Sequence, residues 1–125
     1  MTNRHIVTTS FLSLVILLLA FSGFCQNVVV LEETVLTSRS LSGHVQLGAN
    51  ESGIHGVQVE ICDSKWTKVF ASTTSDEDGM FNFPSRRGGL YHLRLSLPGA
   101  NTLLVKVKVA SKGPNRLSLT LTPAT

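Results

Sequence analysis

From Leu41 onward, apolar residues recur at every second position in short runs broken by turn-forming residues. Leu41, Gly43, Val45 and Leu47 alternate with Ser42, His44 and Gln46, and Val57, Val59 and Ile61 alternate with Gln58, Glu60 and Cys62. Phe81 and Phe83 share a face. Tyr91, Leu93, Leu95 and Leu97 alternate with His92, Arg94 and Ser96. Leu103, Val105, Val107 and Val109 alternate with Leu104, Lys106 and Lys108, and Leu117, Leu119 and Leu121 alternate with Ser118 and Thr120. A period of two is the pattern of a strand with one face on a core and the other in water. Val69-Phe70-Ala71-Ser72-Thr73 reads as one more strand, its facing open. Gly48 to Gly53, Asp76-Glu77-Asp78-Gly79 and Pro98-Gly99 mark the turns between these runs. The pattern predicts an all-β protein, a seven-stranded antiparallel β-sandwich over residues 41–125. No segment beyond residue 26 carries a helical period of useful length.

The chain before Leu41 follows a different pattern. Arg4, the apolar run Phe11 to Phe24 and the small residues Gly23 and Cys25 before Gln26 make residues 1–25 a secretory signal peptide. The apolar run is 14 residues long, shorter than the roughly 20 that a spanning helix needs. An uncleaved amino-terminal membrane anchor and lipidation at Cys25 are the alternatives, and Phe24 fits the lipidation signal poorly. Residues 26–40 are a lead-in, apolar at Val28-Val29-Val30-Leu31, acidic at Glu32-Glu33 and polar from Thr37 to Ser40. This stretch suits a linker or an extra edge strand. The expected location is therefore exported, periplasmic or extracellular.

Charge and cysteines narrow the function. Arg4 is one of 11 basic residues, so the expected mature chain has ten against eight acids, a net +2 too mild to argue for nucleic acid. Every acid lies at or before Asp78, whereas Arg86, Arg87, Arg94, Lys106, Lys108, Lys112 and Arg116 all follow it. Such a basic half either steers an anionic partner or is a set of solvated strand positions. With Cys25 removed, Cys62 is the single remaining cysteine, so no internal disulfide forms. Alternation points Cys62 outward, where it would cross-link two chains in an oxidising compartment; a buried free thiol is the alternative.

Catalytic motifs are missing. His44, His55 and His92 belong to no His-Glu-x-x-His pattern, and no nucleophile elbow or phosphate loop occurs. Asp76-Glu77-Asp78-Gly79 brings three carboxylates together, yet no later acid exists to complete a calcium loop. A hairpin turn with Gly79 at positive φ accounts for it. Asn50-Glu51-Ser52 is a glycosylation sequon. The expectation is a protein that is not an enzyme and needs no cofactor or metal.

The motifs Gly43-His44-Val45, Gly56-Val57-Gln58-Val59, Thr74 to Phe83 with Gly79, Gly89-Leu90-Tyr91 with Leu93 and Leu95, and Pro98-Gly99 occur in that order. In this order the chain resembles the carboxypeptidase regulatory-like domain, a transthyretin-like sandwich of the carbohydrate-binding-like fold, over residues 41 to about 121. The resemblance implies an accessory module of peptidases, outer-membrane receptors or bacterial surface proteins, with Tyr91 and the phenylalanines in the core. The hydroxyisourate hydrolases of this fold end in Tyr-Arg-Gly-Ser, whereas this sequence ends Thr122-Pro123-Ala124-Thr125. Leu41 to Leu47 lacks the first-strand Lys that collagen-adhesin stalk domains cross-link.

Two functions follow as expectations. The first is a non-catalytic interaction module of the bacterial cell envelope, docking a protein through an edge strand or a sheet face. The second is a carbohydrate-binding module for an envelope polysaccharide, since fold alone does not fix function. Its contact residues would be Trp66 in the Asp63–Lys68 loop and the outward Arg94, Lys106 and Lys108. Trp66 is otherwise a core plug or a hairpin cover, and the basic face requires the strands carrying its residues to be neighbours.

Overall fold

In a computed structural model, residues 28–49 and 52–124 are described, and they form nine strands. These are β1 (Val29–Leu31), β2 (Leu36–Ser38), β3 (Ser42–Leu47), β4 (Gln58–Cys62), β5 (Val69–Thr74), β6 (Met80–Asn82), β7 (Gly89–Ser96), β8 (Thr102–Val109) and β9 (Leu117–Leu121). The larger sheet runs β1–β8–β7–β4–β5, with β2 following β1 along the same edge of β8; the smaller runs β6–β3–β9. The expected signal peptide and the sequon at Asn50 and Glu51 lie outside the described residues.

The strand runs read from alternation all form, and the β-sandwich stands. Residues 41–125 form seven strands, β3 to β9, and the lead-in adds β1 and β2 along one edge. The expectation of a purely antiparallel sandwich is corrected, because three pairings are parallel: β1 with β8, β2 with β8, and β3 with β9. Alternation reports which side chains face inward but carries no information on the direction of the partner strand.

Side chains from both sheets meet in one core. Leu41, Val45, Val57, Val59, Leu93, Leu95, Val105, Val107 and Leu121 are all at most 1% exposed. Each such side chain contributes roughly 1.5–3 kcal/mol by leaving water. Phe81 and Phe83 are buried as expected, while Tyr91 is half-buried and donates its hydroxyl to the Arg87 carbonyl at 2.7 Å. Buried Ser75 is satisfied on both sides, donating to the Ile54 carbonyl at 2.7 Å and accepting from the Val57 N–H at 2.9 Å. The Asp76–Gly79 turn has the conformation expected of it, with Gly79 at φ 82° and Asp76 Oδ1 accepting from the N–H groups of Asp78 and Met80, both at 2.9 Å. It is not a hairpin, however: it carries the chain from β5 in the larger sheet to β6 in the smaller one.

Strand register sorts the loops to two ends. Ser42 pairs with Asn82, Gly43 with Leu117, Cys62 with His92 and Gly89 with Val109. The loops 39–41, 63–68, 83–88 and 110–116 therefore share one pole. It carries Arg39, Lys65, Lys68, Arg86, Arg87, Lys112 and Arg116, with Asp63 as its one acid. The opposite pole carries Asp76, Glu77 and Asp78 on its 75–79 turn, and no Lys or Arg lies in residues 48–57, 75–79 or 97–101. The charge asymmetry along the chain becomes a polarity along the strands.

Candidate functional site

The β4–β5 loop is built around Asp63. Its Oδ1 accepts from the backbone N–H of Thr67 at 2.8 Å and of Lys68 at 3.1 Å, and its Oδ2 accepts from the Thr67 hydroxyl at 3.0 Å. The Lys68 N–H is foremost in holding this carboxyl below its ordinary range, with the two Thr67 donors adding to it. The Trp66 N–H donates to the Asp63 carbonyl at 3.0 Å, closing the loop.

Trp66 is the one non-glycine among the described residues with positive φ, at 62°. A side chain in that region costs on the order of 1–3 kcal/mol and persists only where its surroundings fix it. Arg94 is one such constraint, its Nη1 donating to the Trp66 carbonyl at 3.1 Å while its Nε pairs with Glu60 Oε1 at 2.9 Å. The Glu60 hydrogen bond raises the Arg94 pKa further, so the guanidinium stays charged. His92 is the other, its ring meeting the indole edge-on with centroids 5.1 Å apart and an interplanar angle of 78°. The loop thus folds back over the outer face of β4 and β7, and Trp66 is a half-buried hairpin cover.

This cover explains Cys62. Alternation points it outward, and it does pair with His92 on the outer face, but it is 3% exposed rather than solvent-facing. A bulge at Ile61 and Cys62 opposite β5 and the overlying loop bury it. Burial pushes the thiol up, outweighing the opposing pull of Arg94. The intermolecular disulfide expected of an outward Cys62 therefore has no accessible thiol in this fold.

The remaining contact candidates are neighbours. β7 and β8 pair directly, Lys106 stands opposite His92, and Lys108 stands opposite Leu90. Arg94 belongs to the same face, but its guanidinium is already committed to Glu60 and Trp66. Among the described residues Lys106 and Lys108 are cations of that face without an ion pair. Among the described residues no group of three His, Cys, Asp or Glu side chains is arranged to hold a metal ion.

A family model described as the second beta sandwich domain of the BOS complex subunit NOMO1-like proteins matches residues 39–116. This chain belongs to that family. The matched range runs from the turn before β3 to the residue before β9 and contains Trp66, Arg94, Lys106 and Lys108. Membership supports the general kind of domain anticipated, a β-sandwich of the transthyretin and carboxypeptidase-regulatory type. No curated protein matches the chain.

Several functional features were not legible in the alternation. Glu60 and His92 fix Arg94 and Trp66 but read as ordinary outward strand positions. Phe70 is 67% exposed on β5, a strand whose facing stayed open because the bulge interrupts its pairing with β4. Arg39 and Arg86 are 47 positions apart and are brought together only by the strand register.

Proposed function

We propose that this chain is an exported, non-catalytic interaction module that docks an envelope protein along β5. One observation carries the reading: β5 is an edge strand paired to β4 alone, with no charge or proline in Val69–Thr74 and with Val69 and Phe70 44% and 67% exposed. Edge strands of soluble proteins are ordinarily blunted by charge, proline or brevity, because unpaired N–H and C=O groups recruit another strand. β1 and β2, on the far edge of this sheet, are three residues each and joined through Glu32-Glu33. β5 has six residues with no charge and no proline, and its pairing is regular from Ala71 to Thr74 beyond the bulge opposite Ile61 and Cys62, which suits strand addition by a partner. The name of the matched family describes a complex subunit, and the finer likeness to the carboxypeptidase regulatory-like domain implies an accessory role; both agree with docking.

The glycan reading draws less support from the geometry. Trp66 packs edge-on against His92, the strand partner of Cys62, so its indole is already in use as packing. The test is photocrosslinking in whole cells with benzoylphenylalanine at position 70 of the full chain. Discrete protein adducts, reduced about tenfold by Ser72→Lys on the same strand, are expected for β5 docking. Recovery of free monomer alone would refute it.

A further inference from the structure

A cleft of about 500 Å³ opens at the basic pole between the turn entering β3 and the loop leaving β6. Its lining includes Arg39, Asn82, Phe83, Ser85 and Arg86, and no carboxylate. Arg86 is held over the Phe83 ring with its guanidinium carbon 5.9 Å from the centroid, which anchors the charge at the rim. Arg39 donates from Nη1 to Asn115 Oδ1 at a long 3.5 Å and has no other side-chain hydrogen bond. The one ion pair among the described residues is Arg94 with Glu60, so neither arginine of the cleft has an acid partner. Among the described residues the Asn82 amide and the Ser85 hydroxyl have no hydrogen-bond partner, whereas the Ser40 hydroxyl is committed to the Asn115 carbonyl at 2.6 Å.

We infer that this cleft is a binding site for a tetrahedral oxyanion, a phosphate or sulfate group. Each guanidinium lacks an acid partner and carries the planar fork of N–H donors that bidentate oxyanion recognition uses. The amide and hydroxyl add neutral donors on the same wall. Arg87, Lys112 and Arg116 stand on the same pole outside the cleft and raise the local positive potential that draws an anion in. The other clefts differ in this respect. That of about 450 Å³ between Gly56 and Thr102 has no charged lining residue, and that of about 250 Å³ beside β9 has Glu32 as its one charged residue.

The experiment is calorimetric titration of the full chain with inorganic phosphate and with sulfate, against chloride at matched ionic strength. The site predicts saturable binding of phosphate or sulfate that chloride does not reproduce. Arg39→Gln and Arg86→Gln should each weaken it about tenfold, as loss of a charge-assisted contact does. The pair Lys112→Gln with Arg116→Gln removes two charges outside the cleft, twice what each cleft variant removes, and should still change affinity less than about twofold, through the screened field alone. Both arginines are exposed, so their variants retain the fold, which circular dichroism checks. Equal weakening in the two sets of variants would reduce the site to a diffuse field and overturn it, as would the absence of saturable binding to the parent chain.

Discussion

Gly79→Ala should be among the most damaging single-methyl changes available in this chain, and Gly99→Ala is its internal control. Both glycines sit in the left-handed region, at φ 82° and 86°, where an alanine costs roughly 1–2 kcal/mol. Their surroundings differ. A Cβ on Gly79 would lie 2.5 Å from the Gly53 Cα, 2.5 Å from the Val45 carbonyl oxygen and 2.8 Å from the Ile54 nitrogen, all backbone atoms. A Cβ on Gly99 would meet nothing within 4 Å. The Gly79 junction is tied by Val45 N–H to the Gly79 carbonyl at 2.8 Å and by Ile54 N–H to the Val45 carbonyl at 3.0 Å. Opening it for a methyl group loses both bonds, at about 1 kcal/mol each. The expected destabilisation is therefore about 3–4 kcal/mol for Gly79→Ala and about 1–2 kcal/mol for Gly99→Ala. Against a total stability of roughly 5–15 kcal/mol, the first lowers Tm by about 15–30 °C and the second by about 5–15 °C. The entropy that alanine removes from the unfolded chain is common to both and cancels in the comparison. Thermal unfolding of the full-length variants followed by far-UV circular dichroism reads the difference. Equal shifts would show that positive φ alone sets the cost and that the close approach of Gly53 and Gly79 is irrelevant.

Two further outcomes concern the loop over the outer sheet face. Asp63 has its pKa depressed in the fold, chiefly by the Lys68 N–H, so its stabilising hold on the loop is present above the ordinary carboxylate pKa and is lost as pH falls through the lower folded value. Emission of Trp66, the one tryptophan, should show a transition below about pH 4; Asp63→Asn should abolish that transition, and its persistence would refute the assignment. Removing the cover by Trp66→Ala should raise the rate of Cys62 labelling by a disulfide reagent at least about tenfold at pH 7.5, since exposure lowers a thiol pKa that burial now raises. An unchanged rate, in a variant that remains folded, would mean that another group buries the thiol.

The strands of this sandwich were legible because each buries alternate residues, and a period of two survives in the sequence without any knowledge of partners. Val105 and Val107 on β8 and Leu93 and Leu95 on β7 could be assigned inward on that ground alone, and the structure buries all four. Partner choice was not legible. β3 pairs with β9 in parallel across 70 residues of chain, and nothing local in Ser42–Leu47 encodes that direction. β1 is exposed along its whole length, so Val29–Leu31 gives no alternation to read. Cys62 misled because one bulge and one returning loop bury an outward position. Trp66 and Arg94 were legible as residue types with binding chemistry. That they restrain each other, through a main-chain carbonyl and through Glu60, depends on side-chain geometry that no spacing records.

The two poles divide stability from recognition. At the acidic pole, separate segments interlock: Gly53 lies against the Asp78 and Gly79 backbone, Ser75 joins Ile54 to Val57, and Ala100 bridges to Pro123. Ser75 and Asp76 are occupied there by the fold, and the backbone approach of Gly53 to Gly79 leaves no room for added atoms at that junction. At the basic pole the exposed Arg39, Arg86, Arg87, Lys112 and Arg116 have no carboxylate partner among the described residues, and β5 begins there beside Lys68. Charges without internal partners add little to folding stability, because water already solvates them. They remain available to an incoming ligand, which gains the Coulombic attraction without first breaking an internal ion pair. Substitutions at the acidic pole should therefore register as loss of stability, and those at the basic pole and along β5 as loss of binding by a protein that still folds.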